Sequence, residues 1–217
     1  MTTCYQESSG RRRAVFGLGV MMLAAACGAA ADGPGKTGET LTVTMQLPQD
    51  VTSINHWGAM ALERAPAGIG KLETATLSYT AQIRDENGSI IGIASELEDF
   101  SGAGEFKEGA VWETYWTLVI EGRGALFLHE QEELDPVFAG VMERVMTTGE
   151  GWTGVHHIET NRGPLPSGRG LVVGGAGDFK GARGSFQEIG DFTGVSAAGG
   201  LSGAVTLRIE WEAEASQ

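Results

Sequence analysis

"LVVGGAGDFKGARGSFQEI", Leu171 to Ile189, is the stretch whose reading decides the fold. It holds five glycines, one lysine and one arginine, so it is either a loop that cradles phosphate or a bend between strands. The phosphate readings fail on residues. A G-x-G-x-x-G fingerprint begun at Gly175 needs its third glycine at position 180, where Lys180 stands. It also needs a helix next, and "GARGSFQEIGDFTG" carries a glycine every few residues. The P-loop form fares no better: Gly70-Lys71 is followed by Leu72, and Ala65 stands where the first glycine belongs. A sheet reading fits. "LVV" and "SFQEI" read as strands, and the glycines between them supply tight bends and close backbone approach.

The rest of the chain reads the same way. Short alternating runs recur, and no long 3.6-residue period appears. In "TLTVTMQL" (40–47), Leu41, Val43, Met45 and Leu47 share one face. In "TATLSYTAQIRD" (74–85), Leu77, Tyr79, Ala81 and Ile83 do so. Asn87-Gly88 then signals a two-residue hairpin turn. "SIIGIASEL", "AVWETYWTLVIEG", "GALFLHEQE" and "GWTGVHHIET" continue the series, and "SGAVTLRIEWEAE" closes it with Val205, Leu207, Ile209 and Trp211 on one face. Two segments differ. "HWGAMALERA" reads as one or two helical turns. In "DPVFAGVMERVMTT", Asp135 is an N-cap, Pro136 a first helical residue, and Val137, Phe138, Val141, Met142, Val145 and Met146 an apolar stripe packed on the sheet.

At the N-terminus, Arg11-Arg12-Arg13 precedes the uncharged run Ala14–Ala26, which fits the apolar core of an export signal. "LAAAC" resembles a bacterial lipoprotein box with Cys27 as the lipidated first residue. The expected organisation is an export signal over 1–26, a flexible tether over 27–39 and one domain over 40–217. The expected address is the cell envelope, reached through a lipid anchor; the alternative is a secreted or periplasmic soluble protein. The only other cysteine, Cys4, lies upstream of the apolar run, so no disulfide is expected.

The formal charge is −13; without residues 1–26 the chain keeps 12 basic against 27 acidic residues. That balance speaks against nucleic acid and against adhesion of the folded domain to anionic lipid. The acids cluster in "SELEDF" and "HEQEELD", which read as solvated loops; the ordered spacing of a calcium loop is absent.

Gly174, Gly175, Gly177, Phe179, Gly181, Ala182 and Gly184 match, without gaps, the G-G-x-G-x-F-x-G-A-x-G signature of the allene oxide cyclase and dirigent barrel superfamily, which this chain resembles over residues 165–212. The resemblance implies an all-β fold, a single eight-stranded antiparallel barrel of the allene oxide cyclase-like or calycin-like type. It also implies an apolar cavity and a homodimer or homotrimer; Phe179 would plug the barrel floor. The short helix read from "DPVFAGVMERVMTT" would sit on the barrel end. Plant allene oxide cyclases carry a carboxylate near the start of the first barrel strand. "LTVTMQL" has none here, and the early aspartates of dirigent proteins find no match, so no catalytic residue carries over.

Candidate chemistry follows from the strands. His156, His157 and Glu159, joined by His129, are the most metal-like set, but lining or surface histidines are the simpler reading, and no metal or cofactor is expected. A Ser-His-Asp hydrolase finds no G-x-S-x-G around Ser185 or elsewhere. Aromatic residues on central strands suit a small-molecule pocket, with Tyr79, Trp116, His129, His157, Glu188 and Arg208 as its candidate contacts. Alternation forbids Tyr115 and Trp116 from both facing inward. Two functions compete: a binding module for an apolar small molecule, and a cyclase or isomerase that works by confinement. A barrel filled by its own side chains would exclude both.

Overall fold

The computed structural model describes residues 37–56, 59–60, 76–102 and 109–213. The expected export signal over 1–26, Cys27 and most of the expected tether lie outside them. So do most of the residues in "HWGAMALERA", but His56 ends a strand and Ala59–Met60 forms another, so those positions are not the helical turns expected.

In chain order the strands are β1 (Thr37–Leu47), β2 (Val51–His56), β3 (Ala59–Met60), β4 (Thr76–Arg84), β5 (Ile90–Asp99), β6 (Val111–Ile120) and β7 (Gly124–Glu133). Helix α1 (Pro136–Thr148) follows, then β8 (Trp152–Glu159), β9 (Asn161–Gly163), β10 (Gly170–Gly177), β11 (Arg183–Val195) and β12 (Leu201–Ala213). Strands β1, β12, β11, β10, β7, β6, β5 and β4 pair antiparallel in that order, and β4 returns to β1, closing an eight-stranded barrel. The first strand begins at Thr37, three residues inside the expected tether, because Thr37–Glu39 pair with Trp211–Ala213.

Strand β8 is not one of the barrel's eight. It pairs with the second half of β11, from Glu159 opposite Ile189 to Trp152 opposite Val195, while β10 pairs only with the first residues of β11. The β4–β5 hairpin is also longer than expected. Gly88 N–H donates to the Asp85 carbonyl and Asp85 N–H to the Ser89 carbonyl, so the loop is 86–88. The Asp85 carboxylate accepts from the N–H groups of Asn87 and Ser89 and holds that wider turn, and Gly88 supplies the left-handed residue at φ +80°.

The core forms where alternation turns apolar residues inward. Val43 and Met45 of β1, Ile83 of β4, Leu118 of β6, Leu126 of β7 and Leu207 and Ile209 of β12 are fully buried, each contributing about 1.5–3 kcal/mol by leaving water. One barrel end is shut by the glycine motif. Phe179 is fully buried, stands edge-on to Trp211 at 5.4 Å, and lies under the Arg123 guanidinium at 4.7 Å. Gly184 allows β11 to close on β12, since a Cβ there would stand 2.0 Å from the Glu210 carbonyl oxygen.

The seam where the barrel closes is thin. A single registered pair, Thr44 opposite Arg84, joins β1 to β4. Beside it Arg84 grips Asp50 with Nη2–Oδ1 at 2.6 Å and Nε–Oδ2 at 2.9 Å, and Gln46 N–H donates to the same carboxylate. At the other end α1 covers the mouth. The Asp135 carboxylate accepts from Phe138 N–H, and Phe138 and Val145 are its buried residues; Val137 and Met146, read as part of the apolar stripe, are exposed.

Candidate functional site

Two pairs of glutamates spaced by two residues face inward. Glu96 and Glu98 stand on β5, Glu130 and Glu132 on β7, so "SELEDF" and "HEQEELD" are largely strand. Glu96, Glu130 and Glu132 are buried, and Glu98 is partly buried. This overturns the expectation of solvated loops. The signal was present as E-x-E spacing, the period that puts both carboxyls on one face of a strand. Glu188 of β11 joins them, buried as well.

Trp116 organises the cluster. Its Nε1–H donates to Glu188 Oε2 at 2.9 Å and to Glu130 Oε1 at 3.0 Å. Asn161 on β9 donates from Nδ2 to Glu130 Oε2, and its Oδ1 accepts from Glu188 N–H at 2.6 Å. Strand β9 thus ties β7 to β11 behind the carboxyls. Tyr79 stands edge-on to Trp116 at 5.7 Å, with its hydroxyl beside Glu96.

Burial pushes every one of these carboxyls up from the ordinary range, and neighbouring carboxylates add to the push. Glu96, Glu98, Glu130 and Glu132 are driven well up, by desolvation first and then by the charge of Glu188. Glu188 rises less: burial raises it, but hydrogen bonds from Glu130 and Trp116 favour its anion. The group therefore holds its protons more tightly than free glutamates do, and of the five Glu188 is the one whose anion its neighbours favour. Burial and the charges of Glu96 and Glu188 also hold the Tyr79 phenol protonated.

Above this cluster, under α1, lies a cavity of about 320 Å³. Leu77, Tyr79, Phe100, Trp112, Phe138 and Met142 form much of its wall, and Glu96, Glu132 and Glu188 face its inner end. The volume is at the low end of small-molecule sites, and the wall is mostly apolar. Such a space can hold a compact apolar body, and its inner end can donate protons or accept cationic groups.

The structure divides the six candidate contacts. Tyr79, Trp116 and Glu188 lie inside, at or just below the cavity. His129, His157 and Arg208 do not, which corrects their expected interior placement. His129 lies on the outer face, stacked on Tyr115 at 5.0 Å with Nε2 2.6 Å from Glu113 Oε2. His157 is exposed and pairs with Asp191 at 2.7 Å, and Arg208 points outward between buried Leu207 and Ile209. Position parity decides all three: His129 is one residue out of phase with Glu130, and Arg208 with Leu207. His156 faces α1, with Nε2 3.0 Å from Asp135 Oδ1 and its ring stacked on Phe138. The histidines are not gathered into a metal site; among the described residues the grouping with ligand-like spacing is Glu96, Glu132 and Glu188.

No family model matches the chain, and no curated protein matches it. Among solved structures it is similar to two pterocarpan synthase dirigent proteins. PsPTS1 is 12% identical with a TM-score of 0.43, over 83% of this chain and 96% of that one. GePTS1 is 12% identical with a TM-score of 0.43, over 87% of this chain and 91% of that one. The likeness is one of fold and brings no chemistry to this chain.

Proposed function

We propose that this chain is a bacterial, exported member of the allene oxide cyclase and dirigent-like barrels, anchored by lipid on Cys27, whose barrel holds an apolar small molecule. The observation that carries the reading is the cavity of about 320 Å³ between α1 and the inward glutamates, a space that the described side chains leave open. Arg11–Arg13, the apolar run Ala14–Ala26 and Cys27 support export and the anchor, which is the protein's only contact with membrane. Outward-facing Ile93, Leu97, Tyr115, Val119 and Phe127 are exposed and adjoin across β5, β6 and β7, which supports a second copy of the chain covering that face.

The test is native mass spectrometry of the processed protein recovered from its host's envelope. A reproducible extra mass that leaves on denaturation is expected, together with a diacylglyceryl mass on Cys27. A bare polypeptide mass in repeated preparations, with no uptake of apolar probes, overturns the binding reading.

A second reading, a cyclase or isomerase acting by confinement, is favoured by one observation: Glu96 and Glu132 line the cavity, where burial favours their acid forms. A neutral carboxylic acid there can protonate a bound epoxide or polyene. Turnover of such a substrate, lost in Glu96→Gln or Glu132→Gln, would favour this reading over a stationary binder.

A further inference from the structure

The buried apolar residues of the described chain fall into two groups. The larger fills the barrel, and the smaller is Phe100, Trp112 and Leu134. The cavity under α1 takes its wall from both: Phe100, Trp112 and Leu134 from the smaller, Phe138, Phe192 and Val205 from the larger. A domain usually has one contiguous core, and protein interiors leave few voids larger than a water molecule. The space is a break in the core, and a body lying in it would join the two groups. Its wall is braced in advance. Phe100 and Trp112 pack edge-on at 5.2 Å, and Phe138 and Phe192 stack at 4.9 Å.

Acidic residues stand along the same wall: Glu96, Glu98, Glu132, Glu133, Asp135 and Glu188. Among the described residues no lysine, arginine or histidine lines it. Most of these acids have groups of the chain beside them. Glu188 accepts from Trp116 at 2.9 Å and lies by Thr160; Glu132 lies by Thr114 and Trp112, and Glu96 by Tyr79. Arg162 pairs with Glu133, and His156 with Asp135 at 3.0 Å. The acids therefore ask no donor of a ligand, but they bring one sign of charge to its edge. A carboxylate entering the cavity would lose its water and meet like charge, an arrangement that turns a wrong partner away.

An apolar cavity of about 150 Å³ takes one benzene ring. This cavity is about 320 Å³, room for roughly two. We propose that it takes an uncharged, compact hydrophobe the size of two fused rings, seated between the two apolar groups, and rejects carboxylates of the same shape. The proposal rests on the reading that the barrel holds a small molecule, and names its size and charge.

The test compares two probes of matched shape, the ketone 2-acetylnaphthalene and the carboxylate 2-naphthoate, by calorimetry at pH 7.5 on the full chain carrying Cys27→Ser. The ketone is expected to bind about tenfold or more tighter, because like charge across a contact penalises the carboxylate. The larger ketone 1-acetylpyrene is expected to bind about tenfold or more weaker than 2-acetylnaphthalene, because a close-packed wall does not give way. Leu77→Trp fills the space from the wall and is expected to abolish ketone binding. Val51→Phe, also on the wall, serves if the melting curve shows that Leu77→Trp does not fold. Equal affinities for ketone and carboxylate overturn the charge assignment, and tight binding of the pyrene overturns the size; either result leaves the binding reading standing. Ketone binding that persists in both variants places the probe elsewhere and overturns the proposal. Binding of no probe removes the proposal and the binding reading together.

Discussion

Trp116 on β6 donates its indole N–H across 2.9 Å to Glu188 on β11, a residue 72 positions later in the chain. The same hydrogen serves Glu130 at 3.0 Å, so one donor holds two buried carboxyls from two other strands. Trp116→Phe removes that donor and leaves both acids short of a partner. The expected loss is roughly 2–3 kcal/mol, the range for a buried hydrogen bond to a charged acceptor. Urea unfolding measures it. Tyr115→Phe, one residue away on the outer face, should stay within about 0.5 kcal/mol.

The inward glutamates make stability depend on pH with a definite sign. Their folded values lie above the ordinary value of 4.5, so the folded protein binds more protons than the unfolded chain above that pH. Stability is therefore fully present below the ordinary carboxylate range and falls as pH rises through the elevated folded values. Glu132→Gln removes one of these groups. It should raise Tm at pH 8 by roughly 2–4 °C, the shift that about 1 kcal/mol produces in a domain of this size. At pH 4 the variant and the parent should melt together. Calorimetric melts at the two pH values check this, and a variant that melts lower at pH 8 would contradict it.

Asp50 works in the opposite direction. The Arg84 guanidinium bonded to it holds its carboxyl below the ordinary value of 3.8, despite its burial. Its stabilisation is present above that value and is lost as pH falls through the lowered folded value. The two trends together place maximum stability on the acid side of neutrality. Arg84→Met leaves a buried carboxylate with only the Gln46 N–H. The expected cost is roughly 3 kcal/mol, typical of stranding one half of a buried ion pair. Asp50→Asn should cost less, because Arg84 is 30% exposed and can turn to water. Denaturant melts of the two variants at pH 7 give the comparison.

Two glycines of the motif should separate cleanly on substitution. Gly181 has φ +74° and open space where a Cβ would go, so Gly181→Ala carries only backbone strain, about 1–2 kcal/mol. Gly184→Ala drives a methyl into the Glu210 carbonyl and must part β11 from β12. We expect more than about 3 kcal/mol or failure to fold, beyond ordinary overpacking because the obstacle is backbone. Soluble yield and melting of the two variants test the view that the motif is architecture and not a ligand loop.

The barrel was legible because its evidence is local. Alternation placed Val43, Met45, Leu207 and Ile209 inward, and the spacing from Gly174 to Gly184 marked the closing corner. The site was half legible. Tyr79, Trp116 and Glu188 follow from strand parity, and parity applied strictly would have sent His129 and Arg208 outward. Glu96, Glu130 and Glu132 were missed for a physical reason: a carboxylate is ordinarily solvated, so a run of acids argues for a loop unless its period is weighed first. The hydrogen bonds from Trp116 to Glu188 and from Asn161 to Glu130 that make such burial tolerable join residues far apart in the chain, and no local pattern encodes them.

The arrangement of β5 and β7 bears on how the chain finds its register. In β5, Ile93 and Leu97 face out while Glu96 faces in; in β7, Phe127 faces out while Glu130 and Glu132 face in. A slip of one residue would reverse these faces and satisfy hydropathy better over the acidic half of each strand. This sector of the sheet is frustrated, and the correct alignment has to be imposed by its neighbours: Leu126 and Leu128 at the other end of β7, Trp116 and Leu118 between the two strands, and the long β1–β12 ladder. A chain free to follow hydropathy alone would have hidden its leucines and exposed its acids. That β5 exposes Leu97 and both strands bury glutamates, around the apolar cavity described under α1, marks the sector as kept for something other than folding.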